Sequence, residues 1–412
     1  MEGCYRSDIT ILGAGPAGTT AAISLAKRGI PSLLIDKATF PRPKICGDGL
    51  SGKVINNLIR LNPEYIDELR KSGITTDSMA ARFYAPNRKM AELSFQSDDP
   101  TLPTGLICSR IDFDDFLLRK ALSMKNITFS GGNKIEKIFL ENGFVNLEDN
   151  KGQIIARTRL LLFAAGSDKN LIRQLDKSYA VGSKEGIGVR AYFENVGGSD
   201  HKKAIEIHFF NDLLPWYFWI FPFSDGSANV GLALPESIAK KSQMSLKEQL
   251  FHIIESNPDI KSRFKGAELR GKPEAARLAF YTGTGKIADD HYLLLGDAAR
   301  LIDPFTGEGI GNAMASGRFA SDVAAECWSA GNFTATYTGK YQEIVNSRLV
   351  PELALSLKLQ SLAKYRSLLN LVIGRASGNE NTRRLISEML YNPDVKKKLS
   401  KPGFYIKMLL GW

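Results

Sequence analysis

The segment Gly13-Ala14-Gly15-Pro16-Ala17-Gly18 constrains this chain more than any other. It joins a short apolar run at residues 8–13 to a stretch of helical character at 16–28, and a second apolar run follows at 31–36. Strand, glycine turn, helix and strand over so short a distance form one parallel βαβ unit. Each glycine of the G-x-G-x-x-G spacing then has a physical use. Gly13 permits the tight turn, Gly15 lets a pyrophosphate approach the backbone, and Gly18 lets the helix pack close on the sheet. The phosphates sit at the helix N-terminus, where free N–H groups and a positive partial charge wait. Asp36 ends the second strand, 23 residues after Gly13, where a carboxylate can accept both ribose hydroxyls. With Lys37 beside it, this end does not favour a 2′-phosphate, so NADP is not expected there.

The rest of the chain decides between NAD and FAD. Gly296-Asp297-Ala298-Ala299 follows a strand at 292–295, and Gly307-Glu308-Gly309-Ile310 then leads into a helix read at 306–329. An aspartate at a strand end can bind a ribityl hydroxyl. The following helix N-terminus can face the pyrimidine edge of a flavin and stabilise negative charge on the reduced ring. NAD has no use for that second element, so FAD is the expected cofactor.

Between these motifs the periodicity predicts a helix at 112–124 and an apolar strand at 160–165. Antiparallel strands are expected across 204–234, with Asp225-Gly226 as a hairpin signal, and helix throughout from about 335. The order implies an α/β protein. A discontinuous Rossmann-like FAD-binding domain (1–75, 106–178 and 286–332) is interleaved with an antiparallel-sheet substrate domain (76–105 and 179–285), and a helical C-terminal region spans 333–412.

Composition excludes several classes. Hydrophobic residues make up 43% and charged residues 24%, a globular mix. No run of about 18 apolar residues appears, so a spanning helix is not expected, and the few residues before the first strand leave no room for a signal peptide. Four cysteines without CxxC spacing and four histidines without HExxH argue against a disulfide framework and against a metal site. The net charge is +10, and residues 351–412 hold 11 Lys+Arg against 4 Asp+Glu. That tail carries Leu353, Leu355, Leu357 and Leu359, then Lys396-Lys397-Lys398 followed by Phe404, Tyr405 and Trp412. Basic residues beside aromatics suit an anionic membrane surface. The plainer alternative is a solvated helical cap packed on the body. No recognition motif accompanies the charge, so no nucleic-acid partner is expected. The expected location is cytoplasmic, with peripheral contact at the inner face of the membrane.

With these residues in view, the chain resembles the p-hydroxybenzoate hydroxylase-like flavoproteins, and within them the geranylgeranyl reductase family. Four segments carry the likeness: Gly13–Gly18 with Asp36; Pro41 to Leu50, around Cys46-Gly47-Asp48-Gly49; Trp216 to Pro222; and Gly296-Asp297 through Asp303 to Ile310. The resemblance implies FAD contacts at Gly13, Gly15, Ala17, Gly18, Asp36 and Lys37. It implies others at Cys46, Gly47 and Gly49, and at Arg110, whose planar fork would pair with the pyrophosphate. Asp297, Gly307, Gly309 and Ile310 complete the set, and a backbone contact is suggested near Lys134. Aromatic hydroxylases of this fold often carry an Asp-Gly pair where this chain has Ala165-Gly166. That departure puts direct NADPH use in doubt and favours another electron carrier, so the donor stays open.

The activity implied is reduction of carbon–carbon double bonds in a prenyl or similarly apolar lipid, by hydride from reduced flavin. The proton needs an acid near the other carbon, and Cys46 and Tyr217 are candidates. Each also has a plainer role, Cys46 as a small residue allowing close flavin approach and Tyr217 as an ordinary strand residue. Alternation places Tyr217, Trp219 and Phe221 on one face of a strand, as a wall for the substrate. At about 0.8 kcal/mol per CH₂, a prenyl chain leaving a bilayer needs such burial. The alternative is a flavin-dependent monooxygenase or tailoring enzyme acting on an aromatic, quinone or acyl substrate. A non-catalytic flavin module is the third reading, one that a filled pocket opposite the flavin would support.

Overall fold

The computed structural model describes residues 4–93, 103, 105–179, 185–283 and 285–391, with side chains to residue 387. Its first layer is an eight-stranded sheet. Tyr292–Leu294, Ile154–Phe163, Tyr5–Leu12, Ser32–Asp36 and Ile127–Gly131 run parallel in that order, and Ala288–Asp289 extends one edge. These strands are nearly all apolar because both faces are covered: Ile9, Ile11, Leu34, Leu162 and Leu293 are fully buried. Register pairs Leu12 with both Ile35 and Phe163, and Phe163 with Leu294. The loops that open at Gly13, Asp36, Ala164 and Leu295 therefore emerge together at one sheet edge, the edge where open α/β sheets bind ligands.

The helix Pro16–Ala26 crosses the helix Ile310–Ala330 at close range. A Cβ on Gly317 would stand 2.2 Å from the Ala17 carbonyl oxygen, so the crossing requires glycine there. A hairpin, Lys137–Glu141 and Phe144–Glu148, joins Ile154–Phe163 antiparallel.

The second layer is a seven-stranded sheet in the order Glu268–Leu278, Gly186–Glu194, Ala228–Pro235, Phe218–Pro222, Ile205–His208, Ala81–Tyr84 and Met90–Leu93. All neighbours are antiparallel except the pair Ile205–His208 and Ala81–Tyr84. A small sheet of Gly49–Leu50, Gly105–Cys108 and Thr75–Ser78 is the third. Trp216 and Tyr217 precede their strand, which begins at Phe218. Trp216 turns instead onto Phe280, with ring centroids 4.6 Å apart.

Four helices follow: Ala335–Arg348, Val350–Leu362, Arg366–Gly378 and Glu380–Tyr391. The first docks on the eight-stranded sheet, where the buried Tyr341 hydroxyl donates to the Leu294 carbonyl at 2.9 Å. The third covers the far edge of the seven-stranded sheet through Leu369, Ile373 and Ala376. Lys396–Lys398 and the aromatic residues from Phe404 onward lie outside the described residues. Among the described residues no helix is long and apolar enough to cross a membrane.

Candidate functional site

The glycine turn is built as its spacing requires. Gly13 has φ +108°, and a Cβ there would strike the Ala164 carbonyl oxygen at 2.4 Å. A Cβ on Gly18 would stand 1.8 Å from the Gly13 oxygen. Gly15 differs: a Cβ would meet nothing nearer than Arg42 Nη2, at 3.6 Å. Gly15 is also the N-cap of the helix Pro16–Ala26, and its lack of a side chain leaves the first N–H groups without a cap. Open space, uncapped donors and a nearby guanidinium suit a pyrophosphate. Asp36 stands behind the turn. Its Oδ2 accepts from the Ala14 N–H at 2.7 Å and its Oδ1 from the Ala38 N–H at 2.9 Å. It therefore pins the loop, and each oxygen retains a lone pair for a ribose hydroxyl. Lys37 is exposed. Lys134 is exposed and paired with Glu136, just past Asn133, whose N–H bonds the Asp36 carbonyl.

Arg110 is engaged within the protein. Its fork is taken by Asp114, with Nε to Oδ1 at 2.7 Å and Nη2 to Oδ2 at 2.8 Å, and both side chains are buried. Two of the three guanidinium nitrogens are engaged in this buried pair. Arg42, which reasoning from sequence missed, is the arginine at the glycine turn; it also reaches Asp114 at 3.1 Å and lies over the Phe40 ring. Arg110 faces the Cys46 thiol instead. Burial works against the Arg110 charge, but the Asp114 carboxylate opposes that loss and the guanidinium stays protonated.

Asp297 follows Gly296 in a short turn at the end of Tyr292–Leu294. Its Oδ1 lies 3.7 Å from where a Cβ on Gly309 would stand, and Gly309 caps the helix that opens at Ile310. The structure thus brings both halves of the second motif together. Glu308 also serves this helix end. It accepts from the Gly311 N–H at 3.0 Å and from the Ser51 hydroxyl at 2.9 Å, with Lys53 at 3.8 Å. Burial raises the Glu308 pKa and Lys53 opposes the rise.

The aromatic strand lies over the cysteine loop. A Cβ on Gly47 would be 3.3 Å from Phe221 and 3.5 Å from Trp219, and one on Gly49 would be 3.1 Å from Phe221. Tyr217 donates to the Thr306 carbonyl at 2.5 Å, and its oxygen lies 3.0 Å from a Cβ placed on Gly307. Tyr217, Trp219 and Phe221 therefore do share a face, and it is turned to Cys46–Gly49 and Gly307. Burial raises the pKa of both the Cys46 thiol and the Tyr217 phenol, so both hold their protons at neutral pH.

These residues fit FAD. Gly15, Ala17 and Gly18 would hold the pyrophosphate with Arg42 beside it, and Asp36 the ribose. Asp297, Gly307, Gly309 and Ile310 would hold the flavin end, beneath the loop of Cys46, Gly47 and Gly49. Among the described residues no group of three or more His, Cys, Asp or Glu side chains is placed to hold a metal.

No family model matches the chain. Individual proteins do. It is 28% identical over 358 residues to a digeranylgeranylglycerophospholipid reductase of Thermoplasma volcanium, covering 83% of each chain. It is 27% identical over 328 residues to a menaquinone reductase of Mycobacterium tuberculosis, covering 77% of this chain and 76% of that one. A solved structure of a geranylgeranyl bacteriochlorophyll reductase-like protein from Thermoplasma acidophilum superposes with a TM-score of 0.79 at 24% identity, over 97% of this chain and 99% of that one. With the fold and both nucleotide motifs in place, the chain is an FAD-dependent oxidoreductase that is similar to reductases of the geranylgeranyl type.

Proposed function

We propose that this protein reduces carbon–carbon double bonds in the prenyl chain of an apolar lipid. The observation that carries the reading is the apolar surface turned to the cysteine loop. Tyr217, Trp219 and Phe221 form it, and Tyr217 also packs on the apolar core of Phe209, Leu369 and Ile373. A long hydrocarbon chain needs a continuous apolar lining, whereas a small polar ring does not. Two groups of similar proteins support this reading: one acts, by name, on a digeranylgeranylglycerophospholipid and the other on menaquinone.

Bound FAD, once reduced, supplies the hydride. The protein supplies the proton, and Cys46 is better placed to give it than Tyr217. Loss of the Tyr217 proton would leave a buried phenolate against the Thr306 carbonyl oxygen, two acceptors at 2.5 Å. Loss of the Cys46 proton leaves a thiolate beside the Arg110 guanidinium, which Asp114 holds in place. Tyr217 then serves to fix the turn at Thr306-Gly307. The lipid substrate places the enzyme at an anionic membrane surface, and the exposed Tyr365 between Lys364 and Arg366 suits one. The missing acid at Ala165 supports a reduced carrier other than NADPH as donor.

The test is anaerobic. The purified protein is photoreduced and mixed with a geranylgeranylated lipid. Flavin reoxidation with a gain of two mass units per bond supports the proposal. A flavin that stays reduced until oxygen is admitted, then yields oxygenated product from an aromatic partner, would replace it with the monooxygenase reading.

A further inference from the structure

Asp48 is buried without exposed surface and lies between Cys46 and the seven-stranded sheet. It is a non-glycine residue at φ +66°, a backbone conformation that is sparsely populated and retained where surrounding contacts demand it. Its Oδ2 accepts from the Tyr192 hydroxyl at 2.6 Å and the Asn229 amide at 2.7 Å, and its Oδ1 from the Arg110 N–H at 3.2 Å. Three donors and no acceptor face it, an arrangement made for a carboxylate.

Asn229 transmits this constraint. Its Nδ2 also donates to the Cys46 carbonyl at 2.9 Å, and its Oδ1 accepts from the Trp219 indole at 3.0 Å. Register explains the meeting. Asn229 lies opposite Tyr192 on one side and Phe221 on the other, and Trp219 lies opposite Gly231, where a Cβ would strike the indole at 2.2 Å. One amide thus ties the cysteine loop to the aromatic wall, and Asp48 fixes which way that amide points.

We propose that Asp48 is a positioning residue, a latch that acts through Asn229 to hold the Cys46 loop against Trp219 and that loosens when Asp48 takes a proton. This rests on the reading of Cys46 as the proton donor. The groups that face Asp48 are Arg190 and Tyr192 from Gly186–Glu194, Arg110 with Asp114 from the helix Arg110–Leu122, Cys108 from the small sheet, and Cys46 in its own loop. Burial lifts its pKa to about 6, against the pull of Tyr192, Asn229 and the two arginines. Asn229 is among the groups that pull it down, so a proton on Asp48 weakens that one bond while the carboxyl stays buried, and the latch is closed at neutral pH and loosens below it.

The test measures alkylation of Cys46 by iodoacetamide in the flavin-loaded protein, in a Cys4→Ser background, from pH 5 to 8. Cys108 and Cys327 are fully buried and do not compete. At pH 8, once each rate is divided by the thiolate fraction from the Cys46 pKa measured in that protein, Asp48→Asn is expected to alkylate about tenfold faster than the parent, the factor one hydrogen bond supplies. That ratio should fall to about one by pH 5, where the parent opens by itself. Tyr192→Phe removes one donor to the carboxylate, so its opening should move up by about one pH unit. Flavin absorbance confirms loading, and if Asp48→Asn fails to fold, the shift in Tyr192→Phe decides. A ratio near one at pH 8, a ratio that is flat across pH, or an unshifted Tyr192→Phe overturns the proposal. No substrate enters this assay, so failure of a prenyl lipid to reoxidise the flavin would sink the functional reading and leave this result standing.

Discussion

Asp114 is held by two arginines at once: the Arg110 fork at 2.7 and 2.8 Å, and Arg42 Nη2 at 3.1 Å. Its side chain is wholly buried and those of its partners nearly so. Removing it leaves Arg110 short of a counter-charge and Arg42 with only Asp36, at 4.0 Å, whereas removing one arginine leaves Asp114 the other. Breaking a buried pair costs about 3–5 kcal/mol. Asp114→Ala should therefore destabilise at the upper end of that range, and Arg42→Met by clearly less. Urea unfolding of the flavin-loaded variants checks the order, and equal losses would count against it.

Two glycine substitutions should separate packing from chain entropy. Gly231→Ala places a Cβ 2.2 Å from the Trp219 indole and 2.4 Å from the Val189 carbonyl. It should cost about 1–3 kcal/mol and push Trp219 off Asn229. Gly339 lies in the helix Ala335–Arg348 with nothing within 4 Å of a Cβ, so Gly339→Ala should stabilise by about 0.5–1 kcal/mol. Thermal unfolding reads both, and a common sign would contradict the geometry.

What was legible in the sequence was local. Gly13 to Gly18, Asp36 and the stretch from Gly296 to Ile310 each declare themselves within a few residues, because a turn or a helix cap is a short-range object. The hairpin at 137–148 announced itself by Asn142-Gly143, both at positive φ, and that signal went unused. Arg110 pairs with Asp114, its i+4 neighbour, and what the sequence does not display is that both side chains are buried. Asp48, Tyr192 and Asn229 are far apart along the chain. Only the registry of the second sheet brings them together, and a buried polar cluster has no period to betray it.

Cys46 and Tyr217 should respond differently to substitution. Tyr217→Phe keeps the ring and loses one hydrogen bond to Thr306, so single-turnover reoxidation by a prenyl lipid should slow by less than about tenfold. Cys46→Ala removes the acid, and loss of a positioned acid slows proton transfer by about 10²–10⁴-fold. Stopped-flow flavin absorbance under anaerobic conditions measures both. A larger effect at Tyr217 than at Cys46 would exchange their roles.

The pH dependence of stability should carry the mark of Asp48, with a sign opposite to that of most carboxylates. Its pKa is raised on folding from 3.8 to about 6, chiefly by burial. Between those values the folded protein holds a proton that the unfolded chain has lost. Stability from this group is therefore greatest below about pH 4 and declines as pH rises through 6, by roughly 3 kcal/mol. The amide that replaces the carboxyl in Asp48→Asn cannot titrate. The stability of the parent minus that of the variant should accordingly fall by about this amount between pH 4 and 7.5, measured by urea unfolding at both. A difference that stays constant, or grows with pH, would mean that Asp48 titrates as an ordinary carboxylate and that its burial is not setting its charge.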